Sequence, residues 1–528
     1  MGEQNMPLLW QYVDYWAERK PDAEAIVFEG TRLTWSQFRD AVDKAAHAFL
    51  EVGVERGDRV AMLSMARPEF LISFMAAAKV GAIWVGMSPK FSMEELQFLL
   101  NDSQPCLLVA QDTFQGADVA ARARMLADGL SSVRKVLILG GQPHEDRYAD
   151  FVARPRPEYA GELEERAVRT DPDAACLLMY TSGSTGKPKG VLHSHQSILA
   201  NVAVERKHFG FDENARALIH FPINHVAADV EIGFTGIYGG GTLVLMDRFD
   251  AQKSLEVIEQ ERITVVGQVP VMFLMQMQAP KFREMDWSSV RAFVWSGSAA
   301  GDIMLGALHQ IAAQTGAAIM TGYGSTELCG FVTYSHPEDP IDVLRHAAGK
   351  IAPEFELRIV DDEHNPLPAG EVGEIAVRGD TVMKGYLNNP AATAEVIDDN
   401  GWYYTRDMGY LDEQGYLYIT GRRSEMFKTG GENVFPREVE EVLEHHPAVL
   451  FAAVIGVHDD FYDEVGHAFI MLKPGYEVTA GELRDHCKAH LANFKAPKKF
   501  DIRSNLPLLP TGKVSKVALK KELGLETE

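Results

Sequence analysis

The string YTSGSTGKPKGV at residues 180–191 gathers the groups that hold a phosphate. Gly183, Gly186 and Gly190 let successive backbone N–H groups turn toward one anion. Thr181, Ser182, Ser184 and Thr185 add hydroxyl donors, and Lys187 and Lys189 add positive charge. The spacing is not that of a Walker A loop, which needs Gly five residues before Gly186 and a hydroxyl after Lys187; here those places hold Thr181 and Pro188. No hydroxyl is thus placed for magnesium as in that class. A flexible Gly/Ser surface loop would share the glycines but not the whole string. A second feature lies between Lys488 and Lys521, where nine Lys or Arg accompany one acid, Asp501. Such a basic zone can receive phosphates, or it can be a solvated charge face.

These groups need a frame, and the apolar pattern supplies one. A strand-like run at 174–180 feeds the phosphate loop. Upstream, WSQFRDAVDKAAHAFLEV places Phe38, Val42, Ala45, Ala46 and Leu50 at helical spacing, and RVAML follows as a short strand. The spacing then predicts a helix at 68–79, a strand at 82–85, a helix at 93–101 and a strand at 106–110. Similar units recur at 254–268 and 289–323, so two helix-covered parallel sheets are expected. After about residue 345 apolar and polar residues alternate between turn signals, as antiparallel strands or a small barrel require. From about 421 the order is strand, helix (436–445), strand (452–456), strand (468–473) and helix (480–492). The fold class expected is therefore a multidomain α/β protein with a small α+β domain at its C-terminal end.

Length and charge narrow the function. A chain of 528 residues exceeds what one core usually serves, which excludes a small binding module. A formal net charge of −24 repels phosphate polymers and anionic membranes, so neither nucleic acid nor an integral membrane association is expected. Cys106, Cys176, Cys329 and Cys487 are too far apart for a C-x-x-C pair and read as buried thiols. The apolar run at 70–87 reads as a buried helix and strand. The first residues show no signal peptide, and a cytoplasmic location is the expectation.

Taken together, YTSGSTGKPKGV, YGSTE at 323–327, YYTRD at 403–407, GRRSEMFKTGGENVFPREVE at 421–440 and PTGK at 510–513 resemble, in order and spacing, the acyl-CoA synthetase and adenylate-forming superfamily. The resemblance spans essentially the whole chain. It implies an adenylate-forming domain at 1–420, with a barrel-like part at about 345–420, and a mobile C-terminal domain at 421–528. It implies two steps: a carboxylate attacks the α-phosphate of ATP to give acyl-adenylate and pyrophosphate, then a thiol, normally coenzyme A, displaces AMP. Lys513 matches the lysine bridging the two anions, Glu327 the magnesium ligand, and Thr326 a hydrogen bond to the α-phosphate. Tyr323, between Gly322 and Gly324, would stack on adenine beside Gly297, Ser298 and Ala299. Asp407 would accept both ribose hydroxyls, and Arg422 would hold ribose or phosphate. Taken singly, Asp407 could be a turn residue and Tyr323 a core aromatic. Gly430 and Gly431 match a loop lying against the pantetheine arm. Ser424 occupies the hinge position, where Asp or Lys is typical; the missing charge leaves the hinge's bias open.

The same resemblance sets His225 as the gate of the acyl pocket, with Val226, Val269 and Ser296 beside it. Amino-acid-activating relatives carry Asp directly after that aromatic, and Val226 leaves an ammonium unpaired, which disfavours α-amino acids. Met and Phe in GQVPVMFLMQMQ (267–278) suit a medium-chain, alicyclic or aromatic acid, or are plain core. Asp229 shares the side of His225 if the segment is helical. The expected activity is a carboxylic acid–CoA ligase using ATP and Mg2+. The alternative is a stand-alone adenylating enzyme that loads a separate carrier protein. A luciferase-type oxygenase and an inactive scaffold stand further off, and a homodimer is left open.

Overall fold

The computed structural model describes residues 6–141, 145–181, 188–298, 300–473, 475–507 and 514–525. Two seven-stranded sheets form the body. One has the order Ala318–Thr321, Ala292–Trp295, Val265–Gln268, Arg216–Ile219, Thr242–Leu245, Glu24–Phe28 and Thr31–Thr34. The other has the order Gly385–Tyr386, Lys189–Ser194, Ala175–Thr181, Ile83–Met87, Arg59–Leu63, Leu107–Gln111 and Lys135–Leu139. Both are mixed rather than wholly parallel. The links at 29–30 and 182–188 are too short for a crossover, so Thr31–Thr34 and Lys189–Ser194 pair antiparallel to their predecessors.

The helix Pro68–Val80 shows how the body is held. Proline opens it, and Gly81 at φ 82° closes it in the left-handed conformation. Phe70 and Phe74 lie fully buried, 5.4 and 5.3 Å from the Trp84 ring on the next strand. The apolar run at 70–87 is accordingly a buried helix and strand. Among the described residues no helix is long and apolar enough to cross a membrane. All four cysteines are buried free thiols.

In the first sheet Gln268, Trp295 and Thr321 stand in register at the C-terminal ends of neighbouring parallel strands. Loops leaving such ends are where open α/β sheets bind ligands, and here they carry residues 296–298 and 322–323. The antiparallel region after residue 345 is a four-stranded sheet of Glu356–Val360, Gly373–Arg378, Tyr403–Leu411 and Leu417–Arg422. Beyond it, Phe427–Thr429, Glu432–Val434, Val449–Asp459, Asp463–Leu472 and Lys499–Arg503 build a smaller sheet, covered by Pro436–Glu444 and Ala480–His490. Its apolar clusters draw only on residues from Phe427 onward among those described.

Candidate active site

The YGSTE segment lies in a tight hairpin. Gly324–Ser325 pairs with Gly330–Phe331 around the 3-10 turn Thr326–Leu328. Backbone presses on backbone: a Cβ on Gly322 would stand 2.1 Å from the Thr333 carbonyl, and one on Gly324 2.0 Å from that of Gly330. Only glycine allows this approach. Between the two glycines Tyr323 is 6% exposed, and its hydroxyl donates to Asp407 Oδ2 at 2.7 Å. Arg422 Nε donates to Asp407 Oδ1 at 3.2 Å. Asp407 and Arg422 are direct cross-strand partners, so sheet register makes this ion pair. The carboxylate is 14% exposed and the guanidinium 60%, so the pair runs from the interior to the surface.

Glu327 stands beside them. Its Oε1 accepts from Tyr386 Oη at 3.1 Å, and its backbone carbonyl accepts from the Met383 N–H at 2.9 Å. Burial pushes the Glu327 carboxyl up from its ordinary range, while the Tyr386 hydrogen bond and the charge of Arg422 act the other way. Tyr403 is buried within reach of Glu327, Tyr386, Tyr323 and Asp407, and burial pushes its phenol up. Behind the turn, His193 is fully buried, and desolvation lowers it to about 4. It is therefore neutral at pH 7, and its Nε2 lies 2.7 Å from the Thr326 carbonyl, which that nitrogen's proton can serve. The structure thus joins Tyr323, Asp407, Arg422, Thr326 and Glu327 in one corner. Tyr403, the first residue of YYTRD, joins them, and so do His193 and Tyr386, which no sequence motif announces.

The other expected residues lie around this corner. Thr181 ends its strand half-buried; Ser182, Gly183, Ser184, Thr185, Gly186, Lys187, Ala299 and Lys513 lie outside the described residues. Ser296 is half-buried after its strand, Gly297 turns at φ 90°, and Ser298 is exposed. His225 stacks on Phe221 at 6.0 Å, and its Nδ1 accepts from the Ala227 N–H at 3.1 Å. Val226 and Val269 are buried. Phe273, from the Met-rich segment, packs against Phe293 in the sheet core.

Asp229 lies on a π-helix, Ala227–Phe234, fully buried. Neither of its carboxylate oxygens has a partner among the described residues, and burial alone pushes its carboxyl far up. Ser424 is exposed in the turn Arg423–Glu425. Gly430 and Gly431, at φ 61° and 88°, form the two-residue turn of a hairpin. The basic zone is in part an ion-paired face: Lys495 meets Glu438, Arg503 meets Asp501 and Glu522, and Lys516 meets Glu425 and Glu440.

A two-sheet α/β body whose strand ends carry this corner, followed by a small α+β unit, has clear relatives. Residues 13–387 match the AMP-binding enzyme family, and residues 438–513 match the AMP-binding enzyme C-terminal domain. A long-chain-fatty-acid–CoA ligase of Mycobacterium tuberculosis is 33% identical, covering 95% of this chain and 96% of its own. From the same organism, a CoA ligase named for a methyl-dioxo-octahydroindenyl propanoyl group is 34% identical, covering 97% and 98%. Among solved structures, the anthranilate CoA ligase AuaEII in complex with anthranoyl-AMP superposes with a TM-score of 0.88 at 26% identity, covering 99% of both chains. The chain belongs to the AMP-binding, adenylate-forming enzyme family. It is an enzyme of the AMP-forming acid–CoA ligase branch.

Proposed function

We propose that the protein joins a medium-chain, alicyclic or aromatic carboxylic acid to coenzyme A through an acyl-adenylate. The observation that supports this best is the hydrogen-bonded chain from buried Tyr323 through Asp407 to Arg422 at the surface, set beside Glu327 at the strand ends. A carboxylate accepts on two oxygens, and each can take a further donor, so Asp407 can receive both ribose hydroxyls. Tyr323 then lies where adenine would stack beside Gly297 and Ser298. In the first step a substrate carboxylate oxygen attacks the α-phosphorus and the bond to pyrophosphate breaks. Two anions must meet, so a fixed cation between them lowers the barrier; Lys513 takes that role, with Thr326 on the α-phosphate. In the second step the thiol sulfur attacks the acyl carbon and AMP leaves.

Magnesium fits as a guest held mainly by substrate. Among the described residues no group of three or more His, Cys, Asp or Glu could hold a metal ion. A single half-buried carboxylate, Glu327, is the donor set for an ion that takes its other ligands from phosphates and water. When bound, the ion neutralises phosphate charge. Ser182 to Lys187 cradle the phosphates, His225 gates the acyl pocket, and Val226 brings no charge for a substrate ammonium. Ser424 is the pivot, and Gly430 and Gly431 border the thiol's path.

The test is incubation with ATP, magnesium and a panel of carboxylic acids, following AMP release with and without coenzyme A and trapping adenylate as hydroxamate. Hydroxamate with one or more acids and AMP release stimulated by coenzyme A are expected. Hydroxamate that coenzyme A does not consume would overturn the ligase reading, and no hydroxamate with any acid would overturn adenylation itself.

A further inference from the structure

The helix His195–Phe209 presents two fully buried polar side chains one turn apart, Asn201 and Glu205. Asn201 Nδ2 donates to the Phe331 carbonyl at 2.8 Å, and Glu205 Oε1 accepts from the Phe331 N–H at 3.0 Å. The two side chains thereby satisfy both backbone groups of one residue, as a neighbouring β-strand would. The fit is close. Gly330 sits at φ 134°, and a Cβ there would stand 2.7 Å from Glu205 Oε1 and 2.8 Å from Asn201 Oδ1. Asn201 Nδ2 also reaches Thr381 Oγ1 at 3.2 Å, which donates to the Leu328 carbonyl at 2.6 Å. The clamp therefore grips the hairpin on the far side of Thr326 and Glu327 from Tyr323.

The far oxygen of Glu205 faces a hydroxyl. Glu205 Oε2 lies 3.2 Å from Thr235 Oγ1, which lies 3.1 Å from the Val230 carbonyl. A hydroxyl has one proton. The Val230 carbonyl already takes the Thr235 N–H, so the hydroxyl is able either to donate to Glu205 Oε2 or to accept a proton from it. Among the described residues, the titratable groups facing Glu205 are Glu231 on the π-helix and Cys329 and Tyr334 beside the hairpin, none of them a cation. Burial first, and Glu231 second, push the Glu205 carboxyl well above the usual range.

We propose that Glu205 is a positioning residue that works as the neutral acid, donating from Oε2 to Thr235 while Oε1 holds the Phe331 N–H. With Asn201 it fixes the turn that carries Thr326 and Glu327. The assignment rests on the reading of that turn as the nucleotide-binding turn.

Glu205→Gln keeps an acceptor for Phe331 and a donor for Thr235; Glu205→Ala keeps neither. Glu205→Gln is expected to form adenylate within about twofold of the wild-type kcat, while Glu205→Ala and Asn201→Ala fall by about tenfold or more. Wild-type activity declines on the alkaline side as Glu205 ionises, and Glu205→Gln removes that decline. Two readouts do not need activity. Infrared difference spectra at neutral pH should show a protonated carboxyl band present in the wild type and absent from Glu205→Gln. Amide exchange across residues 324–331 should quicken in Glu205→Ala and not in Glu205→Gln. Equal damage in Glu205→Gln and Glu205→Ala, or no protonated carboxyl band, would overturn the neutral acid. Loss of thermal stability in Glu205→Ala with unchanged kcat and exchange would overturn positioning. If wild type forms no adenylate at all, the functional reading falls, and the infrared and exchange results still decide this one.

Discussion

On one side of the Asp407–Arg422 pair stands the hairpin of residues 324–331; on the other runs the segment from Arg423 to Gly431. The hairpin is gripped from within by His193, Asn201, Glu205, Thr381 and Tyr386. In the segment Arg423, Ser424, Gly430 and Gly431 are exposed, and Arg423 reaches Asp362 through side chains that are 41% and 77% exposed. Surface ion pairs of that kind contribute about 0 to 1 kcal/mol, whereas stranding a buried polar group costs about 1 to 3 kcal/mol. One side holds a fixed geometry, and the other can turn at small cost. In the proposed two-step reaction that division would let the nucleotide stay still while the unit carrying Lys513 leaves.

Variants can break or sharpen the contrast, and the largest effect is expected at its meeting point. Asp407→Ala removes two hydrogen bonds and strands a buried phenol and a guanidinium; kcat/KM for ATP should fall by about a hundredfold or more in steady-state adenylation assays. Next comes Gly324→Ala, whose Cβ would collide with the Gly330 carbonyl. It should lower both thermal stability and adenylation, by about 2 kcal/mol or more in denaturant titration.

Tyr386→Phe removes one hydrogen bond that favours ionised Glu327, so kcat should drop by about fivefold. The acid limb of the pH profile should also move to higher pH, since a carboxyl already raised by burial is raised further. The sign for stability is the reverse. A carboxyl whose folded value lies above its unfolded value stabilises at low pH, and that contribution is lost as pH rises through the folded value. Smallest of all, Arg423→Ala should leave adenylation unchanged and shift Tm by about 2 °C or less, because it breaks an exposed pair with Asp362 and a 3.6 Å contact with buried Glu374, whose carboxylate keeps the Arg406 N–H. A strong adenylation defect in Arg423→Ala would erase the proposed division.

Local pattern explains much of the frame. The helix expected at 68–79 is Pro68–Val80, and that at 436–445 is Pro436–Glu444, because proline at the start and apolar spacing within act over one turn. Strands were harder to bound: the one expected at 452–456 runs Val449–Asp459, since a long antiparallel partner extends the ladder past the apolar stretch. The sheets are mixed and not parallel throughout, because the short links at 29–30 and 182–188 return the chain antiparallel. Motifs pointed to Tyr323, Glu327, Asp407 and Arg422, yet not to the register that makes Asp407 and Arg422 partners. His193, Asn201, Glu205 and Tyr386 carry no local signal, because what gives each its place is a contact with a segment far along the chain. The pivot at Ser424 and the cradle at 182–187 stand on resemblance.

The strand Gly385–Tyr386 closes the second sheet by pairing with Lys189–Ser194, Val191 opposite Tyr386. During synthesis that edge must wait for almost two hundred further residues, about 10 to 40 s at ordinary rates of elongation. For that interval the chain exposes an unpaired strand, the kind of edge that recruits other chains. A nascent copy is therefore most vulnerable to misassembly just before the residue that completes the Glu327 site emerges, and truncations ending before Gly385 should be the least soluble of all.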